Sequence, residues 1–308
     1  MLSMFRKKSA TKGLTSVVLT GDGVSLAHIK NAALQPELDA CFHIPTANPL
    51  KEPKKIGDAV SEQGLAGSQA VIVLPEGSYQ VLLVEKPDVP NEELAEALRW
   101  RIKDMVSFDI ETAVIDFVEL PDDAYRGRSS MVYAVVAQQD NVDELTDWCE
   151  EIGLEPAIVD VPEFALLNLT EDLADSEAGL AIFYIGGTAS SINLLSDQAL
   201  YFTRNLAYHR NSPPENASGA VLELQRSLDY YESQVGKPPC VRLAVMPLQE
   251  DDAPLMNELR YNLALDIHSL NLDNLIESSV ELTPELQSKT TLAIAAALRS
   301  DSQRQEVK

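Results

Sequence analysis

One pattern that occurs twice constrains this chain more than any other feature. Near the amino terminus three short apolar runs, at residues 16–20, 26–30 and 40–44, follow in hairpin order, the first two joined by the turn Gly21-Asp22-Gly23, whose glycines permit positive φ. The same order returns at residues 180–185, 190–195 and 200–206, joined by Gly186-Gly187 and Ser196-Asp197. After each set helix and strand alternate. A polar helix at 54–63 and a strand at 70–74 follow the first; a long helix at 217–234 and a strand at 241–246 follow the second. Hairpins followed by a helical crossover specify a mixed sheet. Two such sheets in 308 residues specify two lobes, because chains of this length divide into domains of roughly 150 residues.

Between the halves the chain reads as strand 131–137, helix 140–151, strand 155–160 and helix 161–173, with a polar link at 170–177. An insert interrupts the first half at about 76–121. It has a strand at 79–84, a helix opened by Pro90-Asn91-Glu92-Glu93 with Asn91 as cap, and a strand at 114–120; the polar stretch 121–130 closes it as a loop. Leu94, Leu98, Ile102 and Met105 share one helical face, with Trp100 and Arg101 beside it. Such a stripe either packs the insert onto its own strands or receives a partner, since aromatic and Arg residues dominate interface energies and Met adapts to a partner's shape.

Charge and composition exclude several functions. With 48 acidic against 24 basic side chains the net charge is -24, which disfavours binding to nucleic-acid phosphates. The cations Arg6, Lys7, Lys8 and Lys12 precede the first acid, Asp22. That tail, residues 1–13, reads either as a flexible segment or as a weak hold on an anionic inner-leaflet surface, at about 1 kcal/mol per basic residue. The longest apolar runs, such as 292–298, fall short of a membrane span, and residues 1–5 are too short for a signal-peptide core, so the protein is expected in the cytoplasm. Cys41, Cys149 and Cys240 are isolated, and His28, His43, His209 and His268 are scattered; neither set has metal-ligand spacing. No Gly-x-Ser-x-Gly is present for a serine hydrolase.

Seven segments in order carry a resemblance: Glu96-Ala97-Leu98-Arg99-Trp100-Arg101; Gly153-Leu154-Glu155 on to Asp160 and Phe164-Ala165-Leu166; Ile185-Gly186; Ser190-Ser191-Ile192-Asn193-Leu194-Leu195; Phe202-Thr203-Arg204; Arg226-Ser227-Leu228-Asp229-Tyr230-Tyr231; and Ala293-Ile294-Ala295-Ala296-Ala297-Leu298-Arg299. Over residues 14–299 the sequence resembles the PilM-type proteins of type IV pilus biogenesis, and within them the mannose-sensitive haemagglutinin (MSHA) branch. The resemblance implies an actin-like ATPase (ribonuclease H-like) two-lobed α/β fold with a small α+β insert in the first lobe. The first lobe would then span 14–176, completed by a helix at 283–299, the second lobe 177–282, and 300–308 would be a loose tail. It also implies a scaffold at the inner membrane whose partner is a PilN-type protein offering a cytoplasmic amino-terminal peptide. Leu94, Leu98, Trp100, Arg101, Ile102 and Met105 are the expected partner-binding residues. A type II secretion L-type cytoplasmic domain shares that fold but continues into a membrane span, which this sequence is not expected to have.

A working nucleotide site of that fold needs two acids for Mg²⁺ and water, and glycine turns whose N–H groups approach the phosphates. Aligned with the family's first strand, the first acid falls on Val18, the turn glycine on Thr20 and the lysine on Ser25; the second acid falls on Tyr184, and the adenosine glycines on Met246-Pro247-Leu248. The site therefore reads as degenerate, with no catalytic residue, metal or cofactor expected. Asp22, Gly186, Gly187, Thr188 and Glu223 are the residual candidates for the alternative, a nucleotide-dependent switch or weak ATPase. The purified protein is expected neither to hydrolyse nor to bind ATP·Mg²⁺ tightly. Micromolar affinity in calorimetry, or turnover above a denatured control, would contradict the degenerate reading.

Overall fold

Both large sheets are built on one plan. In the first, β1 (Leu14–Thr20), β2 (Gly23–Lys30) and β3 (Glu37–Pro45) form an antiparallel meander. Two parallel strands, β4 (Gln69–Val73) and then β8 (Glu155–Asp160), extend the free side of β1. In the second, β9 (Gly179–Ile185), β10 (Ser190–Ser196) and β11 (Ala199–Leu206) repeat the meander, and β12 (Cys240–Met246) and β13 (Asp266–Ser269) add in parallel beyond β9. The two-residue strand β14 (Glu277–Ser278) closes the far edge of the first sheet against β3. The computed structural model that shows this describes residues 13–30, 35–125, 129–170, 173, 179–188, 190–250 and 253–299. The basic tail with Arg6, Lys7, Lys8 and Lys12, the tail 300–308 and most of the link 170–177 lie outside those residues.

Helices cover the outer faces. α1 (Pro53–Glu62) and α3 (Gln139–Glu151) pack Ile56, Val60, Leu145 and Trp148 against Val17, Leu26 and Ile72 of the first sheet. α5 (Ala217–Tyr230) and α6 (Pro254–Asn262) pack Val221, Leu224, Met256 and Leu259 against Phe183, Ile192 and Leu243 of the second. α5 runs into a π-turn at Tyr231–Val235, ended by Gly236 at φ 80°. The expected helix at 161–173 is shorter than its apolar pattern: α4 (Pro162–Ala165) passes into a 3-10 turn at Leu166–Leu169. β13 and β14 are too short to stand out from loop sequence.

Between the sheets lies α7 (Pro284–Ala297), whose second half is buried on all sides. Its start is well specified: Thr283 caps the Leu286 amide (3.2 Å), proline holds the first position and Glu285 follows in the first turn. Every residue from 290 to 297 is buried, the signature of a helix with no solvent face. Ala293, Ala295, Ala296 and Ala297 let neighbouring chain come close. Ser16 Oγ donates to the Ala293 carbonyl (2.5 Å) and Asn168 Nδ2 to that of Ala295 (3.0 Å), while Thr290 and Thr291 bond back to their own helix.

The insert is a three-stranded antiparallel sheet, β5 (Tyr79–Glu85), β6 (Ala113–Glu119) and β7 (Met131–Gln138), in the order β5-β7-β6. α2 (Asn91–Ile102) covers one face; it starts with Pro90 at the cap position rather than Asn91. The sequence boundary at 121 is therefore too early. β7 is the central strand of the insert, although its apolar run, continuing directly into α3, reads as a lobe strand. Ala295→Leu should destabilise the protein by about 1–3 kcal/mol in urea unfolding, because the packing around α7 leaves no room for the added carbons.

Candidate functional site

Two turns meet at the mouth between the lobes. Gly21-Asp22-Gly23 joins β1 to β2, and Gly186, Gly187 and Thr188 follow β9. They abut: a Cβ on Gly21 would stand 3.4 Å from Thr188 Cγ2, and Thr188 Oγ1 donates to Glu76 Oε2 (2.5 Å). The Gly186 carbonyl accepts from the Arg210 amide at 2.9 Å. Asp22 is ion-paired with Lys289 of α7, and Thr20 Oγ1 donates to its other oxygen (2.9 Å). Partial burial opposes its ionisation, but the hydrogen bonds from Lys289 and Thr20 hold the carboxyl below its usual value. Ser25, where the family's lysine would stand, donates to the Lys289 carbonyl (2.8 Å) and bonds His43 Nδ1 (3.0 Å). Val18 is buried in the core, and Tyr184 packs against it half-buried. Glu223 belongs to α5, in the helical layer of the second lobe, whereas the structure brings the turns of Asp22 and Thr188 together.

Behind these turns a buried polar cluster joins three units. Glu163, at the start of α4, accepts from Tyr79 OH of the insert (2.7 Å) and from Asn205 Nδ2 of β11 (3.0 Å). Its backbone carbonyl accepts from Asn193 Nδ2 (2.7 Å), whose amide oxygen accepts from Thr203 Oγ1 (2.7 Å). Burial pushes the Glu163 carboxyl up, against the two side-chain hydrogen bonds. Nothing in the spacing of Tyr79, Glu163, Asn193 and Asn205 signals this cluster, because each stands on a different element.

The insert stripe divides. Leu94, Leu98 and Ile102 are fully buried against Val84, Val132, Ala134 and Val136, so they form the insert's own core and cannot meet a partner. An i, i+4 apolar stripe is the same signal for either role, and here it is spent on β5 and β7. Trp100 and Met105 are 62% and 49% exposed, Lys103 lies 5.7 Å from the Trp100 ring, and Arg101 pairs with Glu85 at the surface.

The opposite face of the insert sheet meets the first lobe across an apolar groove of about 260 Å³. Val114, Asp116 and Val118 of β6, Val135 of β7 and Val159 of β8 line it. β6 and β8 are the terminal strands of their sheets, so among the described residues each has one unpaired edge. Asp160 and Arg299 also line the groove and pair at 2.8 Å. Burial pushes the Asp160 carboxyl up while the Arg299 guanidinium pulls it down, with a net rise. The strand at β6 is legible in sequence; that its even-numbered residues line the groove beside another sheet's edge is not.

Two lobes of duplicated plan around a buried helix define an actin-like fold. The family profile described as type IV pilus assembly protein PilM matches residues 53–212, and the chain belongs to that family. Among solved structures it is similar to the chain of a PilM-PilN type IV pilus biogenesis complex (20% identity, 94% of this chain and 98% of that one, TM-score 0.77). It is also similar to a Bacteroides thetaiotaomicron protein with actin-like ATPase fold and unknown function (11%, 92% and 99%, 0.54). A third likeness is to the cytoplasmic domain of EpsL, an inner membrane component of the type II secretion system of Vibrio cholerae (14%, 94% and 98%, 0.51). No curated protein matches the sequence. No helix among the described residues is long and apolar enough to cross a membrane.

Glu163 makes the stability of the fold depend on pH. Its carboxyl titrates above the ordinary value of 4.5, so the native state holds the proton longer than the unfolded chain. Its contribution to stability is present below that value and is lost as pH rises through the native pKa. Glu163→Gln, which cannot ionise, should flatten the fall in urea-unfolding stability above pH 4.5; an unchanged slope would mean that Glu163 titrates normally.

Proposed function

We propose that the protein is a cytoplasmic scaffold of a type IV pilus assembly machine, of MshI type in an MSHA pilus, that captures the amino-terminal peptide of an inner-membrane PilN-type protein. The groove between β6 and β8 carries this reading. Its walls are mostly apolar, and its two strand edges offer N–H and C=O groups to an extended segment, which gains main-chain hydrogen bonds that depend little on side chains. The similar chain described as part of a PilM-PilN complex supports the choice of partner. The occupant sits on the insert face opposite α2, so Arg101 and Trp100 are not its contacts. The nucleotide site is read as degenerate: Asp22 is committed to Lys289, and the acid positions are held by Val18 and Tyr184. The cations Arg6, Lys7, Lys8 and Lys12 would add a weak hold on the anionic inner membrane.

Titration with a labelled synthetic peptide, matching the cytoplasmic amino terminus of the PilN-type protein from the same genome, tests this. Val159, 38% exposed, is replaced without disturbing the core. Val159→Asp should weaken peptide binding by about tenfold or more, since it puts an unpaired charge on an apolar wall. Arg101→Glu should leave the affinity unchanged. The reverse pattern would move the binding site to the α2 side of the insert.

A further inference from the structure

The insert is fastened to the second lobe as well as to the first. Residues 120–125 leave the end of β6 and cross to the second lobe, where Leu120, Ala124 and Tyr125 join that lobe's hydrophobic core. Tyr125 is fully buried; its amide donates to the Val235 carbonyl at the end of the π-turn (3.1 Å), and its ring meets Tyr230 edge-on at 6.4 Å. Asp123 accepts from Tyr201 OH (2.7 Å) and from Lys237 Nζ (2.5 Å), and Lys237 lies 4.2 Å from the Tyr201 ring. Tyr125 takes a left-handed backbone (φ 55°), which a bulky residue keeps only where its surroundings over-determine it. π-Turns, too, concentrate at functional positions.

We propose that residues 120–125 form a strap coupling the insert groove to the second lobe. The strap is the direct continuation of β6, and β6 lines the groove. Any ligand that pairs with the free edge of β6 holds the strand from which the strap leaves. Docking of Tyr125 and occupancy of the groove are then linked, and the linkage is reciprocal: what releases Tyr125 changes groove affinity, and what fills the groove changes how firmly the insert sits on the second lobe. The interlobe contact would be set from the insert rather than by a nucleotide between the turns. Only the groove half of this linkage rests on the function proposed above; the mechanical half does not.

Hydrogen exchange measured by mass spectrometry on the full chain separates the two. In Tyr125→Ala, the β6 amides bonded to β7 and the segment 231–235 should both lose protection by about tenfold or more, while β1–β3 keep theirs. Asp123→Ala, a change at an exposed carboxylate, should show the same pattern at smaller amplitude, and it decides the matter if Tyr125→Ala does not fold. Faster exchange confined to 120–125, with β6 unchanged, overturns the strap. The labelled PilN-type peptide supplies the second arm. A shift of severalfold in its affinity in either variant supports the linkage, and unchanged affinity beside faster β6 exchange overturns it. If the wild-type protein binds no peptide, the partner reading fails while the exchange result still decides the strap.

Discussion

The burial of α7 is the constraint on which the rest of the structure depends. Its second half has no solvent face, and core residues from both sheets cover it. Its alanines set the spacing: larger side chains would push the Ser16 hydroxyl and the Asn168 amide away from the helix carbonyls they reach. The helix is also tied by ion pairs, Lys289 near its middle to the β1–β2 turn through Asp22 and Arg299 just beyond its end to the end of β8 through Asp160. The first is solvent-exposed and contributes little by itself. In the second the carboxylate is buried, so loss of Arg299 would leave a desolvated charge or force a proton onto it.

Those two ties place the interlobe mouth beside the middle of one helix and the insert groove beside its end. At the mouth, polar groups of the chain pair with one another: Asp22 meets Lys289, Thr188 meets Glu76, and Ser25 meets His43. At the groove the balance is reversed. Apolar walls and two open strand edges are left without a partner from the chain's own described residues. Open edges invite unwanted pairing, and here they carry ordinary guards, Pro156 in β8 and the acids Asp116 and Glu119 in β6. A guarded edge beside an apolar groove suits one extended ligand better than indiscriminate association.

The insert is the third body in this arrangement. One face of its sheet is filled by α2, and the other is shared among the first lobe, the second lobe and the groove. Its Tyr133 hydroxyl accepts the Thr203 amide of β11, the terminal strand of the second sheet. The Glu163 cluster joins the same three bodies through side chains from α4, β5, β10 and β11. The lobes and the insert are therefore held together in part by polar contacts within the chain.

The sequence by itself determined the duplicated plan, because hairpin order and helical crossovers are encoded in local periodicity and glycine turns. It also determined the start of α7, through Thr283, Pro284 and Glu285, and the membership of the family, through motifs spread over both lobes. Local periodicity has no access to what lies across a sheet, and that is where the sequence reading ended. The stripe of Leu94, Leu98 and Ile102 looks the same whether it meets β5 and β7 or a partner, and only the tertiary structure assigned it to the insert core. β7 was read as a lobe strand because pairing order, unlike strand content, depends on contacts distant in sequence. The lining of the groove, the strap and the Glu163 cluster were decided at the same level, since each is made by short segments that share neither period nor motif and meet only in the folded chain.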